Sequence, residues 1–126
     1  MKTRIDPRLE TLTERIIGAA FEVSATLGHG FLESVYRKAL LKQLSRAGLD
    51  AAQEVSYRIT YYGEDVGHYV ADLVVEGAVI VELKAVSALT AAHRAQTLNY
   101  VKASNLPVGL LLNFGTPRLE IKRVLL

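Results

Sequence analysis

The 126-residue chain lacks cysteine and long apolar runs, and each absence excludes a class of protein. It contains no cysteine, which excludes a disulfide framework and a zinc site built from thiolates. No stretch reaches the roughly 20 apolar residues of a membrane-spanning helix. The amino-terminal sequence MKTRIDPRLE also has no apolar segment of the kind found in secretory signals. We therefore expect a soluble, cytoplasmic protein with no membrane partner.

The residues that are present have the composition of a globular domain. Half of them are hydrophobic and 22% are charged, and no low-complexity tract or long linker interrupts the chain. We therefore expect residues 1–126 to form a single domain. The formal net charge of +2 and the pI near 9.0 permit a polyanionic partner without requiring one.

Hydrophobic periodicity predicts the element order α-α-β-β-β-α-β-β. The predicted helices cover residues 8–27, 31–47 and 89–104, and the predicted strands cover 53–62, 66–75, 79–86, 107–114 and 118–126. Three consecutive strands joined by short turns predict an antiparallel meander. A helical crossover then brings the strand at 107–114 back beside them. The expected fold class is α/β, with a mixed β-sheet flanked by helices.

The strand VIVELKAV at residues 79–86 carries two opposite charges on one face. Residues i and i+2 of a strand point to the same side, so Ile80, Glu82 and Lys84 share a face. An exposed face of an antiparallel sheet would explain this pattern as well as a reactive face would. These residues alone leave both interpretations open.

A second acidic residue, Asp72, lies in the preceding strand, and the register decides whether it meets Glu82. A two-residue turn at 76–77 would send the two carboxylates to opposite faces. A three-residue loop at 76–78 would put them opposite each other, about 5 Å apart at Cβ. We expect the longer loop, because the shorter one would force Glu76 to positive φ. Facing carboxylates repel unless a cation or proton lies between them, so this register predicts a metal ion.

Glu33 lies on the predicted buried face of the second helix. That face carries Leu32, Val35, Tyr36, Ala39, Leu40 and Leu44. A glutamate on such a face is uncommon unless it is paired. A glutamate at a helix start also interacts favourably with the helix dipole, and this alternative stays open.

The third predicted helix carries a polar stripe. His93, Gln96 and Tyr100 are spaced at i, i+3 and i+7 and therefore share a face. A solvated helix surface would explain the stripe equally well. For His93, contact with a substrate phosphate and a surface role both remain open.

Three carboxylates without thiols form an oxygen-rich set suited to Mg²⁺ or Mn²⁺ rather than to zinc. Such an ion lowers the pKa of a bound water and neutralises charge on a phosphoryl oxygen. Lys84 beside it would orient the nucleophilic water or stabilise the pentacovalent phosphorus. The reaction that this set serves best is in-line displacement at a phosphodiester.

Four short motifs resemble those of known nucleases. GFLESVY at 30–36 matches Gly-x-x-Glu-x-x-Tyr, the pattern for which the GxxExxY family is named. ADLVVEGAVIVELKAV resembles the Asp…Glu-x-Lys core of the PD-(D/E)XK nuclease superfamily. QTLNY at 96–100 matches a Gln-x-x-x-Tyr element of its helicase-nuclease subset, and GLLLNFGTP at 109–117 is similar to the closing strand of the GxxExxY family. The resemblance runs from about residue 9 to the carboxyl end.

The resemblance implies a restriction-endonuclease-like fold and a set of site residues. It implies that Asp72 and Glu82 are metal ligands and that Lys84 is the catalytic lysine. Glu33 would be an additional acidic residue, and Gln96 and Tyr100 would line the pocket. Glu33 is thus predicted both as a catalytic residue and as a third acidic ligand of the metal ion. For Gly30 and Tyr36, structural roles at the helix start and in the core remain open.

The leading hypothesis is a nuclease that uses Mg²⁺ or Mn²⁺ to hydrolyse DNA, rather than RNA, in repair, recombination or defence. One alternative is a catalytically silent module that binds nucleic acid or assembles with other proteins. Its phosphate contacts would come from Arg4, Arg8, Arg15, Arg37, Lys38, Lys42, Arg46, Lys122 and Arg123. A phosphoesterase acting on smaller substrates is a third. We expect a homodimer, because cleavage of a duplex needs two active sites.

Overall fold

Residues 6–126, which the computed structural model describes, form three helices and five strands. The helices are α1 (Pro7–Leu27), α2 (Glu33–Arg46) and α3 (Ala91–Ser104), and the strands are β1 (Ala51–Tyr61), β2 (Glu64–Val75), β3 (Val79–Lys84), β4 (Val108–Asn113) and β5 (Glu120–Val124). The predicted order of elements is confirmed, including the weakly alternating last strand. Boundaries differ by a few residues, and β3, for example, ends at Lys84 rather than at 86.

The five strands form one mixed sheet in the order β1-β2-β3-β4-β5. The first three strands are an antiparallel meander, β4 lies parallel to β3, and β5 pairs antiparallel with β4. The parallel pair requires a crossover, which α3 supplies. The predicted meander and crossover are therefore confirmed. Among the helices of residues 6–126, none has the length and apolar character needed to cross a membrane.

The larger core lies between the sheet and the first two helices. Helix α1 begins at Pro7, where the Asp6 carboxylate accepts a hydrogen bond from the Arg8 N–H. The buried residues of α1 are Thr13, Ile16, Ala19, Ala20 and Val23, and those of α2 are Tyr36, Leu40 and Leu44. A smaller cluster of Ala71, Val74 and Ile80 lies on another part of the sheet, against residues that include Tyr100 of α3.

The predicted buried face of α2 is wrong at its beginning. Leu32 is 76% exposed and Val35 is 37% exposed. Leu32 has an extended backbone, with φ −68° and ψ 152°, so it precedes the helix and does not follow the helical period. Val35 lies 100° around the helix from Tyr36, outside the buried stripe. Glu33 is in line with that stripe, one turn before Tyr36, but it is exposed, so the prediction that it lies on a buried face is also wrong.

Strand β2 changes the face that it buries at Asp72. Ala71 packs in the smaller cluster, whereas Leu73 packs in the larger one. A regular strand would place these two residues on the same face. On the neighbouring strand β1, Glu54 lies between the residues that pair with Ala71 and Leu73 and has a positive φ of 53°. The irregular residues of both strands therefore stand at the same level of the sheet, beside the candidate site.

Candidate active site

The β2–β3 hairpin places Asp72 opposite Glu82. Leu73 pairs with Val81 and Val75 pairs with Val79, so residues 76–78 form a three-residue loop. The same antiparallel register, continued by one residue, aligns the two carboxylates. The predicted register is confirmed.

The reason given for that register is wrong, because Glu76 does adopt a positive φ. Glu76 has φ 54° and Gly77 has φ 62°, and the Ala78 N–H closes the turn on the Val75 carbonyl at 3.0 Å. Two bonds to Asp50 hold Glu76 in this conformation. Its N–H donates to the Asp50 carbonyl at 2.8 Å, and its Oε2 accepts from the Asp50 N–H at 2.6 Å.

Beyond the Leu73–Val81 pair, hydrogen bonds to the two carboxylates take the place of backbone–backbone bonds between β2 and β3. The Asp72 N–H donates to Glu82 Oε1 at 3.0 Å, and the Leu83 N–H donates to Asp72 Oδ2 at 2.9 Å. Each carboxylate is thus oriented by the backbone of the opposite strand. Glu82 is buried, with 4% of its surface exposed, and Asp72 is half-buried.

Burial and the neighbouring Asp72 charge together raise the pKa of Glu82 to about 8. Burial is the larger of the two causes, and it raises the pKa because it penalises the charged form of the carboxyl group. The backbone N–H of Asp72 and the charge of Lys84 act in the opposite direction. At neutral pH the pair therefore favours a shared proton or a bound cation.

Lys84 and Gln96 meet beside this carboxylate pair. Lys84 Nζ donates to Gln96 Oε1 at 3.2 Å, which joins β3 to α3. The Lys84 charge lowers the pKa of both Glu82 and Glu33, so its ammonium lies within electrostatic range of the two acids. The structure thus brings the lysine, the amide and the acidic pair together.

Glu33 approaches the pair from α2 but remains separate from it. Partial burial is the main cause of its raised pKa, and the charge of Asp72 is the second, while Lys84 and Arg37 lower it. Within residues 6–126, no three His, Cys, Asp or Glu side chains are grouped closely enough to hold a metal ion. Asp72 and Glu82 alone still fit Mg²⁺, which is commonly bound by one or two carboxylates, several waters and substrate phosphate.

Helix α3 brings Tyr100 to the same place. Its pKa is raised first by burial and then by the charges of Glu82 and Asp72, so its hydroxyl lies near the acidic pair. The ring of Tyr100 also contacts Tyr69 of β2, with ring centroids 4.9 Å apart. Tyr100 therefore forms a wall of the candidate site on the α3 side.

His93 lies in the first turn of α3 and caps the start of that helix. The Thr90 hydroxyl accepts from the His93 N–H at 3.3 Å, and His93 Nδ1 accepts from the Thr90 N–H at 3.1 Å. These reciprocal bonds form a capping box. They fix the start of the helix that carries Gln96 and Tyr100.

Tyr36 and Gly30 also have structural roles. The buried Tyr36 hydroxyl donates to the Gly28 carbonyl at 2.6 Å and accepts from the Phe31 N–H at 3.2 Å. Its ring stacks on Phe114 with centroids 4.9 Å apart. Gly30 has φ 115°, a conformation that other residues rarely adopt. Together they shape the α1–α2 loop that leads to Glu33.

Asn113 is a positioning residue that the sequence reasoning missed. Its Oδ1 accepts from the N–H groups of Val86 and Gly115, both at 3.0 Å. Its Nδ2 donates to the Val86 carbonyl at 3.0 Å and to Glu120 Oε1 at 2.8 Å. Asn113 is the β4 partner of Lys84 and fixes the chain that follows it. The available signal was a polar residue within the apolar run GLLLNFG.

Comparisons with known proteins identify the fold. A family model described as the PD-(D/E)XK nuclease superfamily matches residues 10–124. The crystal structure of SSO0001 is similar, with a TM-score of 0.56 and 21% sequence identity over 94% of this chain and 59% of that chain. This likeness shows the fold alone, and the chain spans less than two thirds of that structure. Among curated proteins the comparison finds no match. The restriction-endonuclease-like α/β fold is confirmed, and GxxExxY membership stays a prediction.

Proposed function

Because the chain belongs to the PD-(D/E)XK nuclease superfamily, we propose that it is a metal-dependent nuclease that hydrolyses DNA phosphodiester bonds. The observation that carries this proposal is the pair of facing carboxylates of Asp72 and Glu82, each oriented by the opposite strand. A purely structural sheet avoids such a pair, because like charges directly opposite are destabilising. A hard divalent cation would relieve the repulsion between the two carboxylates, and their fixed orientation would suit them to bind it.

Each site residue has a role in this proposal, with Tyr100 as a wall of the pocket. Asp72 and Glu82 would hold Mg²⁺ or Mn²⁺, and Glu33 would act as a third acid through a bound water. The ion, when bound, neutralises charge on the phosphoryl group and makes a coordinated water more acidic. Lys84, held by Gln96, would donate to the phosphoryl oxygens or to the attacking water.

The substrate and the assembly belong to the same proposal. We propose DNA rather than RNA because of the motif resemblance, and the basic pI near 9.0 suits either polyanion. A homodimer is proposed for cleavage of duplexes, since each chain carries one candidate site. Single-stranded, duplex and branched DNA, each with its RNA counterpart, should therefore be tested side by side.

The decisive experiment is a cleavage assay with Mg²⁺ or Mn²⁺ on those substrates. We expect Lys84→Ala to lower the cleavage rate on the order of 10²-fold or more, because it removes the cation at the site where charge develops. Arg118→Ala removes one positive charge from the exposed turn before β5 and should cleave like the native protein. Cleavage that is unchanged in Lys84→Ala, or that persists in EDTA, would contradict the proposal.

One surface observation favours the silent nucleic-acid-binding module as a second candidate. A groove between α1 and α2 is lined by Lys38, Lys42 and Arg46, with Glu22 as the acidic residue in its lining. Other basic residues of the proposed contact set are engaged within the protein. Arg8 pairs with Asp6, Arg15 donates to Ala47 and Arg123 binds Glu10, whereas Arg4 lies outside the described residues. DNA binding that is sensitive to salt but unaffected by EDTA, without any cleavage, would favour this candidate.

A further inference from the structure

A second groove lies between the β1–β2 hairpin and the carboxyl-terminal half of α3. Its volume is about 450 Å³, which lies within the range of small-ligand sites. Polar and aromatic residues of its lining are Arg58, Thr60, Tyr69, Asn99 and Lys102. That volume would accommodate a single nucleotide, and the site described above does not account for the groove.

The charge of this groove is uniformly positive. No acidic residue lines it, although both Arg58 and Lys102 do. Within residues 6–126, neither cation has a carboxylate within 4.0 Å. Two exposed cations on opposite walls, one on β1 and one on α3, form a site that attracts phosphate.

Tyr69 connects the groove to the candidate active site. It lines the groove, and its ring contacts that of Tyr100, with centroids 4.9 Å apart and planes tilted by 60°. Tyr100 in turn lies close enough to Glu82 and Asp72 for their charges to raise its pKa. The two tyrosines therefore form a path from the groove towards the acidic residues.

We propose that this groove binds the nucleotide next to the scissile phosphate, on an unpaired strand, with its phosphate between Arg58 and Lys102 and its base against Tyr69. Cations combined with an aromatic ring are the composition that binds single-stranded nucleic acid, because every base offers a π-face. A base within a duplex has no free face, so the groove requires an unpaired segment or a frayed end. The inference rests on the proposed function for its choice of ligand.

Binding to a fluorescent oligothymidylate of about eight nucleotides, measured by anisotropy in EDTA, tests this inference without cleavage. We expect Arg58→Gln and Lys102→Gln each to weaken binding roughly three- to tenfold and to reduce the salt slope by about 0.7. Tyr69→Leu should weaken binding roughly five- to 100-fold, whereas Tyr69→Phe should bind like the native protein because it keeps the ring. Arg118→Gln, which removes an exposed cation elsewhere, should leave both affinity and salt slope unchanged.

The outcomes separate this inference from the proposed function. Native affinity in Arg58→Gln, Lys102→Gln and Tyr69→Leu would overturn the subsite, even if the native protein cleaves DNA in a Lys84-dependent manner. The expected losses of affinity, in a protein that never cleaves, would support the subsite and contradict the nuclease proposal. Native protein that binds no oligonucleotide at low salt, or that prefers duplex to single strand, would also overturn the subsite.

Discussion

Glu82 is the residue at which protonation, metal binding and stability are linked. Burial and the Asp72 charge raise its pKa from 4.5 to about 8. The native protein therefore holds a proton on this group at pH values where the unfolded chain has released it. The resulting stabilisation is fully present below about pH 4.5 and is lost as the pH rises through about 8.

We predict that Glu82→Gln weakens the pH dependence of stability in the metal-free protein. Between pH 5 and pH 8 the free energy of unfolding of the native protein should fall by on the order of a few kcal/mol because Glu82 ionises. The amide of Glu82→Gln cannot ionise, so this part of the fall should be absent from the variant. Urea unfolding in EDTA at several pH values measures the difference. Glu14→Gln, on the exposed surface of α1, should keep the native profile. Parallel profiles for the native protein and Glu82→Gln would contradict the prediction.

At the scale of elements, the end of β4 is fitted closely to the chain that follows β3. A Cβ on Gly115 would lie 2.3 Å from both the nitrogen and the oxygen of Val86, which are backbone atoms. We predict that Gly115→Ala lowers the free energy of unfolding by about 2–4 kcal/mol, since the backbone must move to make room. Denaturant unfolding measures this loss.

Gly18 provides the matched control for that substitution. It lies within α1 and is exposed, and a Cβ there meets no atom within 4 Å. Gly18→Ala should therefore stabilise the protein by about 0.5–1 kcal/mol, because alanine favours the helix interior. The prediction for Gly115 fails if its alanine variant is as stable as the native protein.

Gly109 determines how closely α3 approaches the sheet. A Cβ there would lie 2.8 Å from Val101 Cγ2 and 3.2 Å from Thr97 Cγ2, both on α3. We predict that Gly109→Ala moves α3 outward, together with Gln96 and Tyr100. Stability should fall by about 1–3 kcal/mol, and cleavage should fall on the order of tenfold or more because the site loses its alignment. Unfolding and cleavage are measured on the same sample, and full activity in this variant would exclude the proposed displacement.

At the scale of the whole molecule, the sequence predicted those features that depend on local periodicity. The order of elements and the alignment of Asp72 with Glu82 follow from strand alternation and loop length, and both are confirmed. The exposure of Leu32 was missed because α2 begins at Glu33 rather than at residue 31, and no local pattern indicated the positive φ of Glu54. The bonds of Asn113 to Val86 likewise join residues 27 positions apart, which no local pattern indicates.

Some features of the candidate site also follow from local sequence spacing, whereas others depend on packing. The i, i+2 spacing of Glu82 and Lys84 on β3 already determined that they share a face. The contact of Lys84 with Gln96 and the separation of Glu33 from the acidic pair depend on how α2 and α3 pack on the sheet. Sequence spacing and the motif resemblance therefore predicted these site residues, whereas the distances between them depend on the fold.

Metal binding at the carboxylate pair should stabilise the entire chain, because the unfolded state cannot keep Asp72 opposite Glu82. At about 100 times its dissociation constant, Mn²⁺ should add roughly 2.7 kcal/mol to the free energy of unfolding. That gain should raise the midpoint of thermal unfolding by roughly 10 °C. Asp72→Asn should lose both the thermal shift and the heat of Mn²⁺ binding in a calorimetric titration.

The metal-free stability of Asp72→Asn distinguishes a lost ligand from a damaged fold. Replacing one of two facing carboxylates removes their repulsion, so the variant without metal should be at least as stable as the native protein at pH 8. Arg118→Ala should keep the full response to Mn²⁺. An equal thermal shift in the native protein and in Asp72→Asn would mean that the ion binds elsewhere. The two facing carboxylates would then be held by a shared proton rather than by a metal ion.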